Sequence, residues 1–488
     1  MSKRWAGDDS LINEDLAPVP VEKRTWSRWN IAALWVGMAV CIPTYTMASG
    51  LIGSGMTWWQ ALLTVFLGNL IVLIPMTLNA HPGTSYGIPF PVLLRASFGT
   101  RGANIAALLR GVVACGWFGI QTWIGGAAIY STLAMLTGFQ TGGETLGFLG
   151  ITAGQLGCFL FFWAINVAFI WRGMESIKWL EVFSAPFLLI VGICLLIWAV
   201  TKANGFGPVF SEPSGFKTAG AFWVAFGGGL TAMVGFWSTL SLNIPDFSRF
   251  AKSQKDQIAG QFIGLPASMT FYSFIGIVVT SATVIIFGEA IWDPVEVINR
   301  IGNKPIACIA LISLAIATLS TNIAANVVSP ANDFSNLAPK HISFRTGGMI
   351  TAGIGVLMMP WKLLADPNGY IFTWLIGYGA LLGPIAGIMI ADYFVFRKKH
   401  LEVEELYRSE GIYRYFGGFS LGGLGTLVLA VLPNLPGFLN QIGAAEAPKF
   451  FTAIYPQAWF TGFALAFGIY LLIRKITPVP IQIQPADF

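Results

Sequence analysis

Twelve stretches of about twenty apolar residues follow one another along this chain. They lie at roughly 30–52, 57–79, 103–137, 150–171, 179–200, 219–244, 258–287, 305–328, 346–364, 370–396, 417–433 and 451–473. In hydrocarbon a segment must satisfy its own backbone donors and acceptors, so stretches of this length fold as helices. The expected fold class is therefore an all-α integral membrane protein of twelve spans. Only 10% of the 488 residues are charged, against about 25% in a soluble domain. The spans use up the chain and leave no room for a soluble catalytic domain. The N-terminus M-S-K-R-W-A-G-D-D-S has no cleavable apolar core, so no signal peptide is expected.

Placement of the cations sets an orientation. With a cytoplasmic N-terminus, 22 of the 28 Lys and Arg, Lys3 and Arg4 through Arg474 and Lys475, fall in inner segments. This is the asymmetry of a multi-pass membrane protein with both termini in the cytoplasm. The net charge of +5 is then a topology signal, and no nucleic-acid partner is expected. The lipid bilayer and a small molecule are the expected partners, with no obligate protein partner evident. Two inner segments depart from plain linkers. Residues 81–101 are too apolar for a free loop and too broken for a span, which fits a packed interfacial segment. Residues 395–414 mix Arg, Lys and Glu, as a solvated amphipathic stretch does. Asp246 and Asp392 stand at inner span ends, where salt bridges are the expected role.

Helix breakers carry more information. Span 1 holds Gly37, Cys41-Ile42-Pro43 and Gly50. Span 6 holds Gly227-Gly228-Gly229 and Gly235, with Pro245 at its end. Pro lacks the backbone donor and clashes with the preceding turn, and Gly leaves helical geometry at little cost. Spans 1 and 6 correspond if the chain contains two five-span repeats, the second inverted. The expected division is a cytoplasmic segment at 1–29, repeats at 30–200 and 219–396, two additional spans within 417–473 and a cytoplasmic tail at 474–488. Paired interruptions in matching positions point to a midplane binding site; ordinary glycine-packed, kinked helices are the other explanation.

Polar and aromatic residues cluster at mid-span. Span 3 reads G-W-F-G-I-Q-T-W over 116–123, span 6 holds Trp237, and span 8 holds Ser320, Thr321, Asn322 and Asn326. Trp117 and Gln121 are four apart and share a helix face, as do Asn322 and Asn326. Such a set suits a planar solute rich in N–H and C=O groups, stacked on indoles and met at its edges by amides. The edges decide selectivity, because an unmatched buried amide costs about 1–3 kcal/mol. Each residue also has a plainer role: indoles anchor at interfaces, and buried amides bond helix to helix. The hydroxyls of Ser320 and Thr321, with carbonyls freed where span 1 unwinds near Gly37 and Val40, offer oxygen ligands for a sodium ion. The competing role for these hydroxyls is bonding back to the preceding turn.

W-F-G-I-Q-T-W, N-I-P-D-F-S-R-F (243–250), L-S-T-N-I-A-A-N-V-V-S-P-A (319–331) and G-P-I-A-G-I-M-I-A-D-Y-F resemble the bacterial members of nucleobase–cation symporter family one. The resemblance runs over nearly the whole chain. It implies a leucine-transporter-like fold of ten spans in two inverted repeats plus two. It also implies a tryptophan sandwich at Trp117 and Trp237, amide contacts at Gln121 and Asn326, and sodium ligands at Gly37, Val40, Ala317, Ser320 and Thr321. Cys41 departs from the pattern by standing where the hydantoin branch has a glutamine and the allantoin branch an amide. N-I-P-D-F and I-P-T-Y lean toward the allantoin branch.

The expected function is a secondary active importer of a small planar ureide or nucleobase, allantoin first. It would be driven by Na⁺ as coupling ion, without other cofactor, by alternating access. The alternative is a proton-coupled uracil, cytosine or hydantoin permease of the same family. A membrane enzyme is not expected: the three His (His81, His341, His400) stand apart from carboxylates, and none of the five Cys has metal-ligand spacing. A passive channel would not need a cation site linked to the solute.

Overall fold

The computed structural model describes residues 10–139, 142–172, 174–365 and 369–476. Lys3, Arg4 and most of the expected C-terminal tail lie outside the described residues. The described chain is helical, with only isolated bridges for β structure. The helices that position the centre of the molecule are α1 (Arg28–Ala39), α2 (Ile42–Gly53), α3 (Trp58–Tyr86), α4 (Phe90–Phe98) and α5 (Ala103–Thr137). They continue with α6 (Ala153–Arg172), α7 (Met174–Lys202), α8 (Ala219–Phe236), α9 (Ser238–Asn243), α10 (Gln254–Phe287) and α11 (Lys304–Asn326). The last are α12 (Val328–Leu337), α13 (Phe344–Leu357), α14 (Ile376–Ile390), α15 (Leu421–Val431) and α16 (Ala458–Ile476).

Nine helical segments among the described residues are long and apolar enough to cross a bilayer, and α1 with α2 forms a further, bent pair. The remaining two expected spans are also helical: α7 has 29 residues and α13 has 14.

The α1–α2 break has a clear origin. Pro43 has no N–H for the Ala39 carbonyl, and that carbonyl takes the Cys41 N–H instead (3.0 Å). Cys41 is extended (φ −146°, ψ 159°), and the two halves meet at 60°. A continuous helix would give the Cys41 N–H to Gly37 and the Thr44 N–H to Val40. Thr44 and Tyr45 both donate to the Cys41 carbonyl instead (3.1 and 3.3 Å). The Gly37 and Val40 carbonyls thereby lose their helical donors.

Span 6 breaks elsewhere than its glycines suggest. Gly227-Gly228-Gly229 and Gly235 remain helical within α8, and the interruption comes at Trp237. The glycines serve close packing: a Cβ on Gly235 would stand 2.7 Å from the Leu375 carbonyl oxygen, and one on Gly229 3.0 Å from Thr64. The interfacial segment is packed as its composition suggests, with every residue of α4 buried, Arg95 included. Asp392 pairs with Arg397 at 2.7 Å. Asp246 forms no salt bridge among the described residues; its Oδ1 accepts the Phe90 N–H at the start of α4 (2.9 Å). Burial raises its carboxyl above the usual range, while the nearby Arg249 charge pulls it back. The buried pair Arg110–Asp333 (2.5 Å) joins α5 to α12 and had no signal in the sequence, because the two positions lie far apart along the chain.

Candidate functional site

Three elements and the α1–α2 break converge on one cavity. The break supplies Met38, Cys41 and Pro43, and α5 supplies Trp117 and Gln121. The α8–α9 junction adds Phe236, Trp237 and Thr239, and α11 adds Thr321 and Asn326. Five of the six residues expected to meet a solute therefore line one space: Cys41, Trp117, Gln121, Trp237 and Asn326.

Asn322 is the exception. It is fully buried behind the wall, and its Nδ2 faces the Phe118 carbonyl (3.2 Å), Thr122 Oγ1 (3.1 Å) and Asn166 Oδ1 (3.1 Å). Its Oδ1 accepts from Asn326 Nδ2 at 3.0 Å. The four-residue spacing was read correctly as a shared face, but only Asn326 reaches the cavity, and Asn322 ties α11 to α5 and α6.

Gln121 is 3% exposed, and its Oε1 has no hydrogen-bond partner among the described residues. An acceptor left bare in a buried site is disfavoured by about 1–3 kcal/mol, and a ligand N–H would remove that penalty. Trp237 donates through Nε1 to Asn69 Oδ1 at 2.9 Å, and Trp35 packs edge-on to it at 5.1 Å. Trp117 sits among ring edges: Phe236 at 5.0 Å, Trp374 at 6.1 Å, Tyr370 at 6.2 Å and Tyr378 at 6.3 Å. Phe236 touches both indoles, standing 4.9 Å from Trp237. Sequence reasoning missed Phe236, Asn69 and the aromatic group at 370–378. Asn69 had a signal, an amide in the middle of span 2; the others look like ordinary apolar residues.

The cavity has a volume of about 30 Å³. A water needs roughly 10–15 Å³ measured this way, so the walls enclose space for about two waters. A ureide enters only if the walls part.

The expected cation ligands divide. Thr321 lines the cavity, and its Oγ1 bonds back to the Ala317 carbonyl (3.2 Å), which is the competing role anticipated for it. Ser320 does not follow that pattern: it is 2% exposed and its hydroxyl has no hydrogen-bond partner among the described residues. Gly37 and Val40 flank the lining residues Met38 and Cys41, and their carbonyls have lost helical donors as described above. The set offers neutral oxygens, which suits a monovalent hard cation better than a divalent one.

A family model described as permease for cytosine/purines, uracil, thiamine, allantoin matches residues 18–462. The purine-uracil permease NCS1 of Arabidopsis thaliana is 46% identical over 471 residues, 96% of this chain and 78% of that protein. The allantoin permease of Bacillus subtilis (strain 168) is 42% identical over 470 residues, 96% of this chain and 94% of that protein. A solved structure of Mhp1, a nucleobase-cation-symport-1 family transporter in a closed conformation with bromovinylhydantoin bound, is 27% identical. It matches with a TM-score of 0.77 over 97% of this chain and 98% of that one. The all-helical, leucine-transporter-like fold class expected from the sequence is the one adopted. These relatives are permeases and transporters, not enzymes.

Proposed function

The chain belongs to the permease family for cytosine/purines, uracil, thiamine and allantoin, and we propose that within it this protein imports allantoin together with Na⁺. The bare Gln121 Oε1 at a cavity lined by two indoles and the Asn326 amide carries the reading. The ring faces of a ureide pack between Trp117 and Trp237, its N–H groups donate to Gln121, and its carbonyls accept from amide N–H. Thr239, also at the wall, adds a hydroxyl. Asn322 positions Asn326.

Sodium is held by the carbonyls of Gly37, Val40 and Ala317 and the hydroxyls of Ser320 and Thr321, with the Thr321 hydroxyl turning away from its back-bond. Because the α1–α2 break borders both sites, ion and solute favour the same arrangement of α1 and α2. Coupling then follows from linkage, each ligand raising the affinity of the other by the same factor. The two five-span units, 30–200 and 219–396, move relative to each other around this centre, which opens the wall alternately to either side. The cationic excess on one side supports cytoplasmic termini, and the membrane we propose is the inner membrane of a bacterium.

The 46% identity to a purine-uracil permease favours a second reading, a nucleobase carrier driven by protons. A competition panel of allantoin, hydantoins, uracil, cytosine and thiamine against labelled allantoin uptake, run with and without Na⁺, separates them. We expect allantoin to compete best and only in Na⁺. Stronger competition by uracil, insensitive to Na⁺ and steeper at low pH, would replace the first reading with the second.

A further inference from the structure

Trp374 and Tyr378 are four residues apart on the helix formed by the wide turn Gly369–Leu375 and α14, so they share one face. Their rings pack at 5.0 Å, and on one side both meet Trp117. On the other side lies a second cavity of about 320 Å³, against about 30 Å³ at the centre. Val112 and Val113 of α5 close one wall, and Val431, Asn434 and Leu435 close another.

The cavity is mostly apolar, and three buried polar atoms of its lining residues have no partner among the described residues: Trp374 Nε1, Tyr378 Oη and Asn434 Oδ1. Trp374, 7% exposed, has its Nε1 buried without a partner among the described residues, and so does the Oδ1 of Asn434, 1% exposed. Asn434 uses only its Nδ2, which donates to the Ala458 carbonyl (3.2 Å). Unmatched donors and an acceptor thus belong to residues that line the same apolar space. Leu432 and Leu435 are exposed beside it on a segment apolar enough to span the bilayer, so the rim faces lipid.

We propose that this cavity binds a membrane-soluble molecule with an apolar body and a hydroxyl or amide head, and that occupancy arrests transport. A hydroxyl accepts from the Trp374 indole and donates to the Asn434 oxygen; the body fills the volume that water leaves dry. An occupant wedges Trp374 and Tyr378 against Trp117, and the central cavity then cannot widen around its solute. Inhibition acts on the maximal rate and leaves KM unchanged.

The probe is tritiated 1-adamantanol, with adamantane as the same body lacking the head. Binding is measured on purified protein in liposomes, against protein-free liposomes, and uptake is measured in parallel. We expect 1-adamantanol to bind and to lower the maximal uptake rate, and adamantane to be at least about tenfold weaker, the worth of the first of the two buried hydrogen bonds the hydroxyl makes. Asn434→Leu keeps its own uptake and loses the alcohol's advantage. Trp374→Phe, read by binding alone, loses it as well and covers the case in which Asn434→Leu does not fold. Equal potency of the two probes overturns the proposal. So do an alcohol preference surviving in both variants, a raised KM, or adamantanol signal equal to that of protein-free liposomes. The binding arm does not depend on which solute or ion the protein carries, so its failure is distinct from failure of the transport reading.

Discussion

Replacing Asn69 by leucine removes the one acceptor that holds the Trp237 indole. The bond from Trp237 Nε1 to Asn69 Oδ1 is 2.9 Å long, and Trp237 is 2% exposed. Leucine has the same number of side-chain heavy atoms, branched at the same carbon, so no cavity opens. Asn69 also donates from Nδ2 to the Val65 carbonyl (2.8 Å), but that carbonyl lies inside α3, where the helix supplies its backbone partner. What remains is a bare indole N–H, disfavoured by about 1–3 kcal/mol. The ring is wedged edge-on between Trp35 and Phe236, so it either keeps its place and destabilises the fold or turns and misplaces one wall of the site. With about 1.4 kcal/mol per tenfold change, allantoin affinity falls by about tenfold where the ring turns. The assay is equilibrium binding of labelled allantoin with parallel thermal unfolding, on Asn69→Leu, Trp237→Phe and the double variant. Phenylalanine at 237 lacks the N–H, so the loss caused by Asn69→Leu shrinks to within about 0.5 kcal/mol in that background. An equal loss in both backgrounds refutes the positioning role of Asn69.

Three further outcomes follow from the same geometry. Gln121→Leu lowers solute affinity by at least about tenfold, the penalty for an unmatched polar edge, yet leaves the unfolding temperature unchanged or higher because the lost oxygen had no protein partner; normal binding with a destabilised fold would contradict this. Ser320→Ala and Thr321→Ala weaken allantoin affinity in high Na⁺ and barely alter it without Na⁺, and an equal loss in both conditions removes them from the cation site. Arg110→Met leaves the Asp333 carboxylate buried and unpaired and destabilises by about 3–5 kcal/mol, while Arg110→Met with Asp333→Leu recovers most of it; thermal unfolding in detergent checks both.

Much of this architecture is legible in the sequence because bilayer thickness and the missing donor of proline act locally. The twelve apolar stretches became helices, and Cys41-Ile42-Pro43 marks the break where the Ala39 carbonyl loses its partner. Gly227-Gly228-Gly229 misleads for a tertiary reason: a glycine that unwinds a helix and a glycine that admits Thr64 or Leu375 look identical in sequence. Asn322 and Asn326 differ in role only because α5 and α6 crowd one and the cavity meets the other. Trp237 was readable as a wall residue, while its anchor Asn69 lies 168 positions away. Arg110 and Asp333, 223 positions apart, give no periodic signal at all. Phe236, Trp374 and Tyr378 matter through ring contacts that only the packed structure assembles.

Equilibrium binding of labelled allantoin to the purified protein, across stepped Na⁺ at constant ionic strength with choline as replacement, tests the central claim most directly. The account predicts that affinity climbs with Na⁺ to a plateau, and that allantoin raises Na⁺ affinity by the same factor. Allantoin affinity independent of Na⁺ would contradict it.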